Sequence, residues 1–183
     1  VYKRQDIEKV WHGLTPPYIG LFEWLDGKTG IPKIQHTRTF HPMMLANPLN
    51  IEQDFDRLDP NDFQAEWKWD GIRVQAVFDE SNKQLYSRTG DDISRAFPDI
   101  VGELNGKAVL DGELLVGENF KALPFNQLQQ RLNRKSPTKM HLKNYPAFIR
   151  VYDMLFYNED DIRDLPLKIR RQKLEDWMKQ VKN

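Results

Sequence analysis

The chain has 183 residues, 39% of them hydrophobic and 30% charged, which is the composition of a globular domain with room for one core and a piece of another. Lys+Arg and Asp+Glu balance at 27 each, so net charge announces no polyanionic partner, and no run of 18 apolar residues exists to cross a membrane. Zero Cys excludes disulfides and thiolate metal sites and fits a reducing compartment, while His12, His36, His41 and His141 lack metal-ligand spacing. No charged-then-apolar leader opens the sequence, so no secretory signal is expected.

Residues 1–30 read as mostly helical, with Ile7, Val10, Trp11 and Leu14 at helical spacing and a second apolar run from 19 to 25 that ends at Asp26-Gly27. Residues 28–50 carry Gly30, Pro32, Pro42 and Pro48 and read as an extended linker. Asp59-Pro60-Asn61-Asp62 is a turn, followed by expected strands at 63–67, 72–78 and 84–87. Pro98 opens a short helix to Leu104. Strand-like stretches at 108–110 and 113–116 flank Asp111-Gly112, and Phe125, Leu128 and Leu132 predict a helix. Residues 147–156 form a strong strand, and Pro166 starts an amphipathic helix through Leu174, Trp177 and Met178. Strands and helices do not alternate strictly, so the fold class is α+β with mostly antiparallel sheet and flanking helices.

Lys68 carries the chemistry. It stands between two tryptophans in Glu66-Trp67-Lys68-Trp69-Asp70-Gly71-Ile72-Arg73. Loss of hydration in an aromatic setting lowers a lysine's pKa, and a nearby cation such as Arg73 pushes the same way, which makes a nucleophile. The plain alternative is an exposed strand lysine before an Asp-Gly hairpin turn. Polar groups recur at strand ends: Ser87-Arg88-Thr89-Gly90, Asp111-Gly112-Glu113 and Tyr152-Asp153. Together they fit a nucleotide pocket. Arginines fork onto phosphate or ribose, a carboxylate holds a hydroxyl or a hard cation, and a ring stacks on a base. Between Arg131 and Lys143 the charges are all basic (Arg131, Arg134, Lys135, Lys139, Lys143), a candidate phosphate-facing patch or a solvated helix end.

The order of these motifs resembles the covalent nucleotidyltransferases, and most closely the ATP-dependent DNA ligases. Lys68-Trp69-Asp70-Gly71-Ile72-Arg73 is similar to the motif whose lysine is adenylylated, Ser87-Arg88-Thr89-Gly90 to the next (with Thr89 where Asn is usual), Asp111-Gly112-Glu113 to the third, and Val151-Tyr152-Asp153-Met154-Leu155 to the F-D-x-L element. Phe125 to Leu132, and Arg163-Asp164-Leu165-Pro166-Leu167 with Arg170-Arg171, resemble segments of bacterial and archaeal DNA ligases that the capping-enzyme branch lacks. The likeness spans roughly residues 40–175. The family's later E-G-x-x-x-K and K-x-K motifs have no counterpart before Asn183.

The resemblance implies residues 1–38 as the tail of a helical DNA-binding domain plus linker, and residues 39–183 as the first part of an adenylation domain. The piece by itself is expected not to complete ligation. It implies Lys68 as the adenylylated nucleophile, with Glu66, Trp67, Arg73, Arg88, Glu113 and Tyr152 binding ATP, and Glu113 also a candidate Mg²⁺ ligand. Arg88, Arg131, Arg134 and Lys135 are the candidate DNA contacts, while Asp70 and Asp111 shape structure. The implied partners are ATP, Mg²⁺ and nicked duplex DNA, and no membrane. The implied setting is a monomer in a bacterial-type cytoplasm serving replication, repair and recombination. Two other readings stand beside it: an RNA ligase or capping-type nucleotidyltransferase, and a non-catalytic nucleic-acid-binding module using the 131–143 patch.

Overall fold

The computed structural model describes residues 4–134 and 136–181. Two strands of 11 residues, β3 (Ala108–Glu118) and β5 (Ala147–Tyr157), form the centre of an antiparallel sheet. β1 (Ile72–Phe78) pairs with the other side of β3, and β2 (Lys83–Ser87) with β1. β4 (Lys121–Ala122) folds back on β3, and β6 (Asp160–Asp161) on β5. The strand order is β2-β1-β3-β5-β6, in the α+β class that the sequence predicts.

Period-2 alternation assigns the faces. Val74, Ala76 and Phe78 of β1 point with Ala108, Leu110, Leu114 and Val116 of β3 into the main core. Three helices cover that face: α4 (Pro98–Glu103), α5 (Phe125–Leu132) and α7 (Leu167–Val181), which deliver Ile100, Leu128, Leu174 and Trp177. The opposite face carries Arg73, Gln75, Asp111 and Glu113 at one end and a small apolar cluster of Val77, Val109, Leu155 and Phe156 at the other.

Residues 36–44 lie across that second face. The Gln75 side chain takes both backbone groups of His41, accepting from its N–H at 2.7 Å and donating to its carbonyl at 3.0 Å. Arg38 pairs with Asp79 at 2.8 Å, and Arg73 Nη2 donates to the Met44 carbonyl at 2.7 Å. A stretch that reads as a linker is thus tied to the sheet by side chains, although no strand ladder includes it. The preceding helices α1 (Arg4–Trp11) and α2 (Ile19–Leu25) form a cluster of their own around Val10, Leu21 and Trp24.

Two α-helical segments escaped the periodicity: the single turn α3 (Ile51–Asp54) and α6 (Lys139–Asn144). α6 is started by a capping box between Thr138 and His141, with His in the place where Glu or Gln gives the recognisable signature. The expected strand at 63–67 does not form. Its backbone joins none of the described ladders, although Gly71 just beyond it packs against β3. At 108–118 the Asp-Gly pair, a common turn signal, instead sits inside one continuous strand.

Candidate active site

Gly71 and Gly112 allow the site to form. A Cβ on Gly71 would stand 2.4 Å from the Leu114 carbonyl oxygen, so only glycine lets the 66–71 segment lie against β3. A Cβ on Gly112 would stand 2.6 Å from Ile149 Cγ2 and 2.8 Å from the Arg150 carbonyl oxygen, so glycine also sets the β3–β5 approach. Next to it the β3–β5 register shifts: Gly112 pairs with Val151 but Asp111 with Asp153, which leaves Tyr152 as the extra residue of a bulge. Bulges re-aim side chains beside binding sites, and this one turns the Tyr152 hydroxyl onto Asp111 at 3.2 Å.

Asp111 is buried and accepts from Arg73 Nε at 3.1 Å and Nη2 at 2.6 Å. The fork holds the Arg73 guanidinium protonated even more firmly than usual. Burial, with the Asp111 charge beside it, pushes the Tyr152 phenol well above the ordinary tyrosine range, so the hydroxyl stays a donor. Arg73 also lies 6.0 Å from the Tyr152 ring centroid. Asp111 is structural, as the sequence predicts, and it binds two of the nitrogens that Arg73 would otherwise offer to a nucleotide.

Glu113 lies opposite Arg73 in the β1–β3 register. Half-burial raises its pKa, partly offset by the Gly71 N–H that it accepts and by the Lys68 charge. Arg88 extends from a turn in which Gly90 takes φ +88° and donates its N–H to the Ser87 carbonyl at 3.0 Å. Lys68, Glu66, Trp67, Arg73, Arg88, Glu113 and Tyr152 all line a single open cleft of about 530 Å³. All seven residues expected for nucleotide chemistry therefore meet in one place.

Several expectations are corrected. Lys68 is exposed and Trp67 is 84% exposed, so the paired tryptophans do not enclose the lysine. No strand covers residues 63–69, and only Trp69 is half-buried, its ring stacked under the Arg150 guanidinium at 4.7 Å. Arg131 is not a DNA contact: it is fully buried in α5. It forks onto Asp99 at 2.6 and 3.1 Å, donates to the Ala96 and Tyr145 carbonyls and stacks 5.0 Å from Phe97. Helical spacing from Leu128 turns it inward, and its acidic partner lies 32 residues away in sequence, where a charge count along the chain does not reach. Arg134 is exposed in a separate cleft with Asp92 and Arg95. Lys135 lies outside the described residues.

The sequence reading missed the supports. Arg170 forks onto Asp153 with both bonds at 2.9 Å, and Arg171 pairs with Glu66 at 2.9 Å and donates to the Tyr152 carbonyl. Both arginines stand on α7 and had been singled out only by resemblance. A carboxylate that holds Mg²⁺ with the help of nucleotide phosphates needs only one or two protein ligands, and Glu113 facing the cleft fits that role. Among the described residues no group of three or more acidic or histidine side chains forms a metal cage.

A family model for the ATP dependent DNA ligase domain matches residues 43–183. The chain belongs to this family. Its similarity to curated DNA ligases spans only part of them. It is 36% identical over 115 residues to a DNA ligase of Archaeoglobus fulgidus, covering 61% of this chain and 20% of that protein. It is 33% identical over 147 residues to a probable DNA ligase of Koribacter versatilis, covering 75% and 25%. The chain thus spans 20 to 30% of the length of the first curated relatives that it matches. The ligase domain of M. tuberculosis LigD shares the fold, with a TM-score of 0.52 at 24% identity over 63% of this chain and 36% of that one. Within the ligase domain family the match includes every cleft residue described above.

Proposed function

We propose that this chain is the nucleotide-loading part of an ATP-dependent DNA ligase that seals nicks in duplex DNA through a lysyl-adenylate at Lys68. The observation that carries the reading is the convergence of Lys68, Arg88, Glu113 and Tyr152, from separate stretches of sequence, on one cleft. The Lys68 amine, in its neutral form, attacks the α-phosphorus of ATP. An N–P bond forms as the P–O bond to pyrophosphate breaks, and the nitrogen gives up its proton. Tyr152 stacks on the adenine, with Glu66 and the Trp67 backbone at its edge. Glu113 takes the ribose hydroxyl or the metal, and Arg88, with the part of Arg73 left by Asp111, faces phosphate. Glu113 would hold Mg²⁺, which would offset the negative charge of the phosphates.

In the complete enzyme, AMP then passes to the 5′-phosphate at a nick, and the 3′-hydroxyl displaces it. We assign the parent to replication, repair and recombination as a monomer in a bacterial-type cytoplasm. No helix among the described residues is long and apolar enough to cross a membrane.

The test uses the full-length parent with α-labelled ATP and magnesium. Label that survives alkali but is released by acid, as an N–P bond requires, is expected on the wild type and at least 100-fold less on Lys68→Ala. Equal label on both would refute the assignment.

A further inference from the structure

Residues 63–69 are exposed for the most part and outside every described strand ladder, yet they carry Lys68. Two arginines that no nucleotide role claims reach them from the sheet and the last helix. Arg171 on α7 pairs with Glu66 at 2.9 Å and also donates to the Tyr152 carbonyl, so one side chain joins the segment to β5. Arg150 on β5 covers the Trp69 ring with its guanidinium carbon 4.7 Å from the centroid, and its Nη2 donates to the Phe120 carbonyl at 2.9 Å. The two contacts fall on either side of Lys68, two residues before it and one after. Both arginines line the groove of about 290 Å³ that abuts the nucleotide cleft.

We propose that Arg150 and Arg171 are positioning residues that clamp the Lys68 segment from both sides, and so aim its amine at the nucleotide. The inference rests on the reading of Lys68 as the nucleophile. A ladder would fix the lysine by backbone hydrogen bonds. Here the fixing falls to a guanidinium–carboxylate pair made through Nη1 of Arg171 and to a guanidinium–indole stack, and the stack needs the planar cation. A lysine at position 150 keeps the charge and loses the stack.

The test has two arms. In the first, limited chymotryptic cleavage after Trp67 and Trp69 is followed on the full-length parent, wild type against Arg150→Met, Arg171→Met and the double variant. Cleavage there is expected to speed at least tenfold in the double variant, with cleavage elsewhere unchanged. Unchanged cleavage at these sites, or equal acceleration at all sites, would overturn the clamp. In the second, the single-turnover adenylylation rate at saturating ATP is expected to fall at least tenfold in the double variant, without full recovery by lysine at both positions. An unaltered rate would overturn the positioning role even if cleavage had changed. Label persisting on Lys68→Ala would instead remove the nucleophile assignment, and the cleavage arm would still decide the clamp.

Discussion

At Asp111 one carboxylate, 1% exposed, accepts from Arg73 and from the Tyr152 hydroxyl. Removing it strands a half-buried guanidinium, and breaking such a pair costs about 3–5 kcal/mol. Asp111→Ala is therefore expected to lose about that much in urea unfolding. His41 gives a pH signature. Its ring is buried against Phe156, and burial lowers its pKa from 6.5 to about 4. The unfolded chain therefore binds more protons between those two values, and stability rises with pH across the window. On acidification from pH 6.5 to about 4 the cost of this residue is about 3 kcal/mol. His41→Gln is expected to flatten the slope between pH 6.5 and 4 when unfolding free energy is followed across that range. A slope equal to that of the wild type would contradict the assignment. Neither the partnership of Asp111 nor the burial of His41 is legible along the chain, because the partners of each come from distant elements.

Elements differ in how much of their role the sequence discloses. β1 was legible from alternating apolar residues, and β3 and β5 from apolar strand-like stretches, because each feeds a single core. The join between β3 and β5 was not, since a glycine that permits close approach resembles a glycine that turns. Gly112→Ala would press a methyl group into Ile149 and the Arg150 carbonyl, and it is expected to cost about 1–3 kcal/mol in urea unfolding. Because the bulge beside it aims Tyr152, the same change should also weaken ATP binding. α5 was legible as a helix, but the direction of Arg131 was not. Arg131→Met takes the guanidinium from half-buried Asp99, which keeps only the Ala147 N–H, and from the Ala96 and Tyr145 carbonyls, and it is expected to lose about 3–5 kcal/mol, without altering the salt dependence of DNA binding. A reduced salt slope in that variant would restore the DNA-contact reading.

Across the whole molecule, the α1–α2 cluster packs on itself and reaches the rest of the fold through few contacts, such as His12 edge-on to Phe40 at 5.0 Å. A chain beginning at Gln35 is expected to melt within about 4 °C of the parent chain. One beginning at Leu45 loses the partners of Gln75, Arg73 and Asp79, each worth about 1–3 kcal/mol when stranded, and is expected to melt roughly 10 °C lower or more. Circular dichroism melts of the two truncations separate the cases. By itself the sequence determined the fold class, the strands β1, β3 and β5 and the helices α4, α5 and α7, and it singled out the seven residues of the cleft, because hydrophobic period and short motifs are local signals. Only the tertiary structure decided that Lys68 sits on an unpaired, exposed segment, that Asp111 holds Arg73, that Arg131 is buried and that residues 36–44 are fastened to the sheet. Each of these depends on pairing between groups tens of residues apart, and such pairing exists only once the chain has closed on itself.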